Sequence, residues 1–471
     1  MLFPTFEFLI FFVVVLLFTW MIYQHPKSHL IWLLIASYFF YGCWNWTYIP
    51  LLFGISSLAF IFAVLISKKN KNIWFGLGII VFIVILAYFK YSGFILTIFP
   101  RSWIESAFGE KINFINPILP LGISFITFHA ISLLFDIKRG KLNFTPTFIQ
   151  VLLYISFFPQ LIAGPILRAS AFIPQLNILR SPHHLKITRG MILICLGLFK
   201  KVILANYLGT EIVDPVFNGV VENPNYFIAV YAYAVQIYCD FSGYTDIAIG
   251  CAFLLGYHFP LNFRNPYTAS SIQDFWRRWH ITLSSWLRDY LYIPMGGARK
   301  GFLFKLLFLM ITMLIGGLWH GAGWQFIFWG AFHGLLLVIN HIWVKITDKY
   351  SIQWNQSTIW KVISTILTFN LVCVGWIWFR APNFDVAILI FHQSCIEVIQ
   401  GKIFTNINYL TLLAIVLGIG TQFQTLSSRA KVERWLGKQA WLIQGAIFAL
   451  IITLIEYFGP SGIAPFIYFQ F

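Results

Sequence analysis

Apolar residues in this chain do not alternate with polar ones. They run on in blocks, near 5–23, 29–49, 51–66, 73–98, 117–135, 148–165, 189–208 and 226–257, and then near 303–319, 324–344, 360–379, 384–397, 407–423 and 440–458. Apolar stretches of roughly 17–25 residues are what a helix needs to cross the hydrocarbon of a bilayer. Several blocks are broken by Pro, Gly or charge and are expected as half-spans or re-entrant segments, which lipid tolerates only where protein covers them. The pattern predicts an all-α, polytopic membrane protein of about eleven to thirteen helices, forming one integral-membrane domain over residues 1–471. The longest departure is 258–301, HFPLNFRNPYTASSIQDFWRRWHITLSSWLRDYLYIPMGGARKG. From Ser271 onward it predicts one amphipathic helix, with Phe275, Trp279, Leu283, Trp286 and Tyr290 on one face and Arg277, His280, Ser284 and Arg288 on the other. Ser270 or Ser271 with Asp274 would cap its start.

Composition agrees with lipid. The chain is 59% hydrophobic and 10% charged, against ~25% charged in a soluble domain. The net charge of +16 does not call for nucleic acid, because the basic residues cluster in short segments between apolar blocks. SKKNKN (67–72), DIKRGK (136–141), LFKK (198–201) and SRAKVERWLGK (428–438) read as cytoplasmic loops, whereas 209–225 has three acids and no Lys or Arg, as expected outside. Alternation from these loops places both chain ends outside. The N-terminal block lacks a basic flank and a small-residue cleavage site, and reads as a retained span. Six cysteines are scattered without a CxxC pair, so neither a disulfide framework nor a metal site is expected.

Ionisable residues within such blocks are costly and mark candidate chemistry. GGLWHGAGWQFIFWGAFHG (316–334) holds His320 and His333 among glycines and tryptophans. A core histidine bonded to a backbone carbonyl is one reading of His320; a general base acting on a hydroxyl is the other. The two histidines are 13 apart, off helical register and without a nearby carboxylate, which argues against a metal pair. In QIYCDFSGYTDIAIG (236–250), Gln236, Asp240 and Asp246 interrupt an apolar run. Each acid either pairs with a buried arginine or caps a broken helix, or the two mark a proton path. LPLGISFITFH with His129, and FFPQLIAGPILR ending in Arg168, are further polar interruptions. The arginine face of 271–290 fits either lipid phosphates at the interface or a phosphorylated cofactor such as a CoA ester. The chain ends FIYFQF (466–471), with Tyr468 before the free carboxylate.

These blocks resemble the membrane-bound O-acyltransferases. QIYCDFSGYTDIAIG, NFRNPYTASSIQDFWRRWHITLSSWLRDYLYIPMGG, GGLWHGAGWQFIFWGAFHG and the terminal FIYFQF are most similar to the branch of bacterial alginate O-acetyltransferase and its relatives for peptidoglycan and teichoic acid. LPLGISFITFH, FFPQLIAGPILR and VGWIWFRA (374–381) fit the same branch. The resemblance implies a bundle around a membrane-crossing funnel in a bacterial inner membrane. It implies acetyl transfer from cytoplasmic acetyl-CoA, with no permanently bound cofactor, toward an extracytoplasmic polysaccharide, finished by a periplasmic acetylesterase-like partner. It maps the catalytic histidines onto His320 and His280 and makes Tyr468 a candidate acyl relay. Arg277, Arg278, Arg288, Trp276 and Ser284 are then donor-binding candidates, and Gln236, Asp240, Asp246, Asp274 and Asp289 polar residues of the funnel. His129 stands where a glutamine is expected, and Asn206 where an aspartate is common. The rival readings are a transporter or flippase of a lipid-linked saccharide, with Asp240 and Asp246 coupling it to protons, and D-alanylation of teichoic acid. Chain length and the built-in terminal motif point away from the last.

Overall fold

The computed structural model describes residues 3–68, 71–99, 117–162, 164–178, 180–182, 185–350, 357–403, 405, 407–459 and 467. Among these every regular element is helical. Seven helical stretches are long and apolar enough to cross a membrane, eight if the bent pair Tyr409–Phe423 and Ser427–Gly437 counts as one. The protein is therefore multi-pass. The remaining apolar blocks, near 5–23, 117–135, 148–165, 226–257 and 384–397, fall on helices that are shorter or carry polar side chains inside the protein.

The chain divides into two compact units. The first comprises 1–190 and 248–260. Its main helices are α1 (Phe6–Met21), α2 (Pro26–Asn45), α3 (Ile49–Ser67), α4 (Lys71–Leu86), α5 (Ile123–Lys138) and α6 (Phe148–Ser156). α3, α4 and α5 pack together, and Gly78 of α4 allows the approach: a Cβ there would lie 2.6 Å from Leu134 Cδ1. Thr147 and Gln150 form a capping box that starts α6. Leu17, Ile83 and Val84 are exposed on the outside, as lipid-facing side chains should be. His129 of α5 is wholly buried, and its Nε2 accepts the Leu167 N–H at 3.2 Å.

The second unit comprises 191–247 and 261–471. α7 (Ile187–Leu198) leads into a π-helical segment, Phe199–Ala205. α8 (Tyr226–Leu254) is almost entirely buried, and its first amides, Tyr226 and Phe227, donate to the Glu397 carboxylate at 3.0 and 2.7 Å. A carboxylate at a helix start is favoured by the unpaired N–H groups and the dipole there. There follow α9 (Ile272–Arg278), α10 (Ile281–Leu287), α11 (Phe302–His320), α12 (Trp324–Lys349), α13 (Thr358–Arg380), α14 (Phe384–Ile399), α15 (Tyr409–Gly420), α16 (Leu426–Gly437) and α17 (Trp441–Phe458).

Two expectations are corrected here. LFKK is not a loop: Lys200 and Lys201 are buried, within a stretch, Ile187–Phe217, long and apolar enough to span. Opposite charges on α8 overrule the positive-inside count, which sees only sequence position. Nor is 271–290 one helix. It breaks after α9, where His280 adopts a left-handed backbone (φ 41°) before α10 begins. Arg277, His280, Ser284 and Arg288 therefore do not share a face. Ser271 does cap α9, its hydroxyl accepting the Asp274 N–H at 3.1 Å.

Candidate functional site

His320 is the last residue of α11, and Gly321–Gly323 turn the chain into α12. The two helices touch closely, because Gly317 faces Gly330: a Cβ on Gly317 would lie 2.3 Å from the Phe326 carbonyl and 3.0 Å from Gly330 Cα. This sets the buried His320 ring against aromatic walls. Its centroid is 4.9 Å from Trp319, 5.0 Å from Trp329 of α12 and 5.2 Å from Phe379 of α13, all near edge-to-face. Rings so arranged hold the imidazole in one plane.

The break between α9 and α10 places His280, fully buried, against the same tryptophan. Its ring is 6.2 Å from Trp319 and 4.7 Å from Phe241 of α8. Asn262 orients it. His280 Nδ1 is 3.0 Å from Asn262 Oδ1, which also accepts the Thr282 N–H at 3.2 Å and the Thr282 hydroxyl at 2.8 Å. An oxygen taking two such donors is the amide carbonyl, so Nδ1 donates and Nε2 carries the lone pair. Nε2 has no hydrogen-bond partner among the described residues. The turn lies outside the candidate spans, and burial pushes the His280 pKa far below its ordinary value, which keeps the ring neutral. Asn262 was missed in sequence; a single asparagine in an irregular stretch carries no periodic signal.

His333 of α12 is as buried, but within a separate box: Trp329 at 4.8 Å, Trp276 at 5.3 Å and Phe275 at 6.3 Å. Trp276, named as a donor contact, thus belongs to this aromatic packing. Trp329 adjoins both His320 and His333.

A cleft of about 500 Å³ opens beside the His280 turn, lined by Arg264, Arg277, Arg278 and Arg429 with one acid, Asp274. Arg278 is tied down: Nε and one terminal nitrogen reach Asp274 at 2.9 and 2.8 Å, and another donates to Thr268 at 3.0 Å. Arg277 and Arg264 are exposed. Phe263 and Tyr238 complete the wall, and the Phe263 ring lies 6.5 Å from His280 and 5.0 Å from Trp279. One aromatic side chain therefore borders both the arginine cleft and the histidine. Arg288 and Ser284 are not in the cleft. Arg288 is exposed and donates to Asp289 at 2.7 Å, which raises its pKa; the Ser284 hydroxyl donates to the Trp279 carbonyl at 3.3 Å. Sequence reasoning missed Arg264, which lies in an irregular stretch, and Arg429, which only folding brings to this wall on α16.

The two α8 carboxylates are ion-paired with the π-helical lysines, Asp246 with Lys200 and Asp240 with Lys201. Wider π spacing turns two consecutive lysines inward. Gly197 and Gly243 make room, since a Cβ on Gly197 would sit 2.5 Å from the Gly243 carbonyl. The expected carboxylate partner was arginine; it is lysine. Gln236 is half-buried beside Gly209. Asn206 is buried, and neither atom of its amide has a partner among the described residues. Arg380, from VGWIWFRA, pairs with Asp214. Tyr468 lies outside the described residues; its neighbour Ile467 is buried and donates its N–H to Asp240 Oδ2 at 2.9 Å.

Known proteins give this geometry a context. The family model for the membrane-bound O-acyltransferases matches residues 138–375, which hold both candidate catalytic histidines and the Asn262 turn but not Tyr468. Peptidoglycan O-acetyltransferase of Helicobacter pylori is 36% identical over 417 residues, 81% of this chain and 75% of that protein. The probable alginate O-acetylase AlgI of Pseudomonas putida is 39% identical over 365 residues, 75% and 72% of the two chains. Teichoic acid D-alanyltransferase of Bacillus subtilis is 29% identical over 284 residues, 57% and 70%. With half of its length matched by the family model and three quarters of each of the first two relatives covered, the chain belongs to the membrane-bound O-acyltransferase family and is an O-acyltransferase.

Proposed function

We propose that this protein transfers acetyl from acetyl-CoA toward the hydroxyl of a cell-envelope polysaccharide, of the alginate or peptidoglycan kind, across the bacterial inner membrane. The observation that carries this is the shared setting of the two histidines: both rings meet Trp319, and Phe263 links His280 to a cleft with four arginines. Guanidinium groups suit the phosphates of CoA. The names of the relatives support acetyl as the group and a polysaccharide as the acceptor.

In this reading a ring nitrogen of His320 takes the proton of the acceptor hydroxyl as its oxygen attacks the thioester carbonyl. The C–S bond breaks, and the CoA thiolate leaves and regains the proton from the imidazolium. Tyr468 is the candidate first acceptor, since a phenol, with a pKa of ~10, gives up its proton more readily than a sugar hydroxyl. His280, its Nε2 left with a lone pair by the Asn262 contact, orients the donor or moves a proton. A periplasmic acetylesterase-like partner would finish the transfer. The flippase reading fits less well, because both α8 carboxylates are held in lysine pairs and not exposed to a path.

The test is incubation of purified protein with radiolabelled acetyl-CoA, comparing wild type with His320→Ala and Tyr468→Phe. Label kept by wild type and lost from both variants is the expected result. Thioester hydrolysis that survives in Tyr468→Phe but not in His320→Ala would retain the enzyme and remove the relay. No consumption of acetyl-CoA by protein that is otherwise active would overturn acetyl-CoA as donor and turn attention to D-alanine, after the teichoic acid relative.

A further inference from the structure

Two buried lysine–carboxylate pairs sit side by side in the second unit, and they are completed differently. Lys200 and Asp246 take their third group from α8 itself, with Lys200 Nζ donating to the Ser242 hydroxyl at 3.0 Å. Lys201 and Asp240 are more deeply buried, with side-chain exposures of 2% and 4%. Their third group is distant in sequence: the Ile467 amide, 227 residues beyond Asp240, donates to Oδ2 at 2.9 Å. A buried ion pair is tolerated only when further hydrogen bonds satisfy its remaining lone pairs and protons. The first pair takes its further bond from α8 itself, whereas the second receives one from Ile467.

We propose that the Lys201–Asp240 pair is a docking site for the protein's own terminal segment, which it grips through the backbone amide of Ile467. Lys201 holds the carboxylate in place, and Asp240 presents its second oxygen to the peptide. The Ile467 side chain, 3% exposed, adds apolar burial. Because the contact is to backbone, it does not depend on which side chain stands at that position. Tyr468 is the next residue, and an acyl relay needs reacting atoms held within ~3–3.5 Å. That use of the anchor rests on the relay reading above; the anchor itself does not.

Carboxypeptidase digestion of full-length protein in detergent, followed by intact-mass spectrometry, tests this without reference to catalysis. Lys201→Met with Asp240→Leu removes the pair without leaving an orphan charge, and residues up to and past Ile467 should be released at least ~10-fold faster. Lys201→Met with Asp240→Asn keeps a carbonyl acceptor for the amide and should restore the wild-type rate. Lys200→Met with Asp246→Leu, an equal loss of buried charge, should digest like wild type. Wild-type rates in the first variant, or equal acceleration in the third, would overturn the anchor. Acetyl label absent from wild type in the same preparations would remove the relay and leave the digestion pattern to decide the anchor alone.

Discussion

The two imidazoles of the site stand in different surroundings. His320 ends a helix and is walled by Trp319, Trp329 and Phe379. His280 sits in a strained left-handed break and is wired by polar contacts through Asn262 to Thr282. The three rings around His320 fix the plane of its imidazole. The Asn262 contact selects one tautomer, which suits a residue that orients or accepts at a fixed nitrogen. On the proposed function, His320 handles the moving proton and His280 offers the lone pair that the Asn262 contact leaves on Nε2.

The strongest way to break this division is His320→Ala, which we expect to lower kcat by ~10²–10⁴ while leaving KM for acetyl-CoA within a few-fold. Loss of activity in Asp240→Asn with His320→Ala tolerated would instead restore the transport reading. Next comes Asn262→Leu, which strands the His280 Nδ1–H and the Thr282 donors. Leaving buried donors unsatisfied costs about 1–3 kcal/mol, so a fall of roughly 10- to 100-fold is expected, shown by steady-state kinetics on protein that still elutes as a single species. Asn262→Asp sharpens the point through pH. A carboxylate at Nδ1 favours imidazolium and raises the His280 pKa. The lone pair on Nε2 is then lost as pH falls through that raised value, so the acid limb of the rate profile should move to higher pH than in wild type. An unmoved limb would mean that His280 does not use Nε2. Smaller in its effect on chemistry, Gly317→Val should loosen the α11–α12 contact that positions His320. The added side chain meets the Phe326 carbonyl, and overpacking of this kind costs about 1–3 kcal/mol. A thermal midpoint lowered by several degrees, with residual activity lost in step, is expected.

The sequence made the helices and the two histidines legible, because long apolar blocks and the WRRWH and LWHG stretches are local signals. What it hid depends on tertiary pairing. Periodicity carried the 271–290 pattern straight through His280, since a non-glycine residue in left-handed conformation leaves no mark on hydrophobic spacing. The Lys200 and Lys201 charges counted as loop because their partners lie about 40 residues onward on α8. Asn262 had no pattern to join. The arginine cleft was seen only in its local half, Arg277 and Arg278, while Arg429 arrives from α16.

That half-seen cleft supplies the mildest prediction. Arg277 is exposed and Arg278 is bound to Asp274 and Thr268, so the two neighbours should not contribute alike. An exposed ion pair is worth at most about 1 kcal/mol, so Arg277→Gln should raise KM for acetyl-CoA by no more than ~5-fold, leave kcat unchanged, and lose its effect in high salt as screening removes the pairing. Arg278→Gln should do more and respond less to salt, because it also frees the Asp274 carboxylate to face the phosphates. Equal effects from the two would mean that the donor does not lie in this cleft. The arginine cleft and the histidine wall would then be separate features joined only by Phe263.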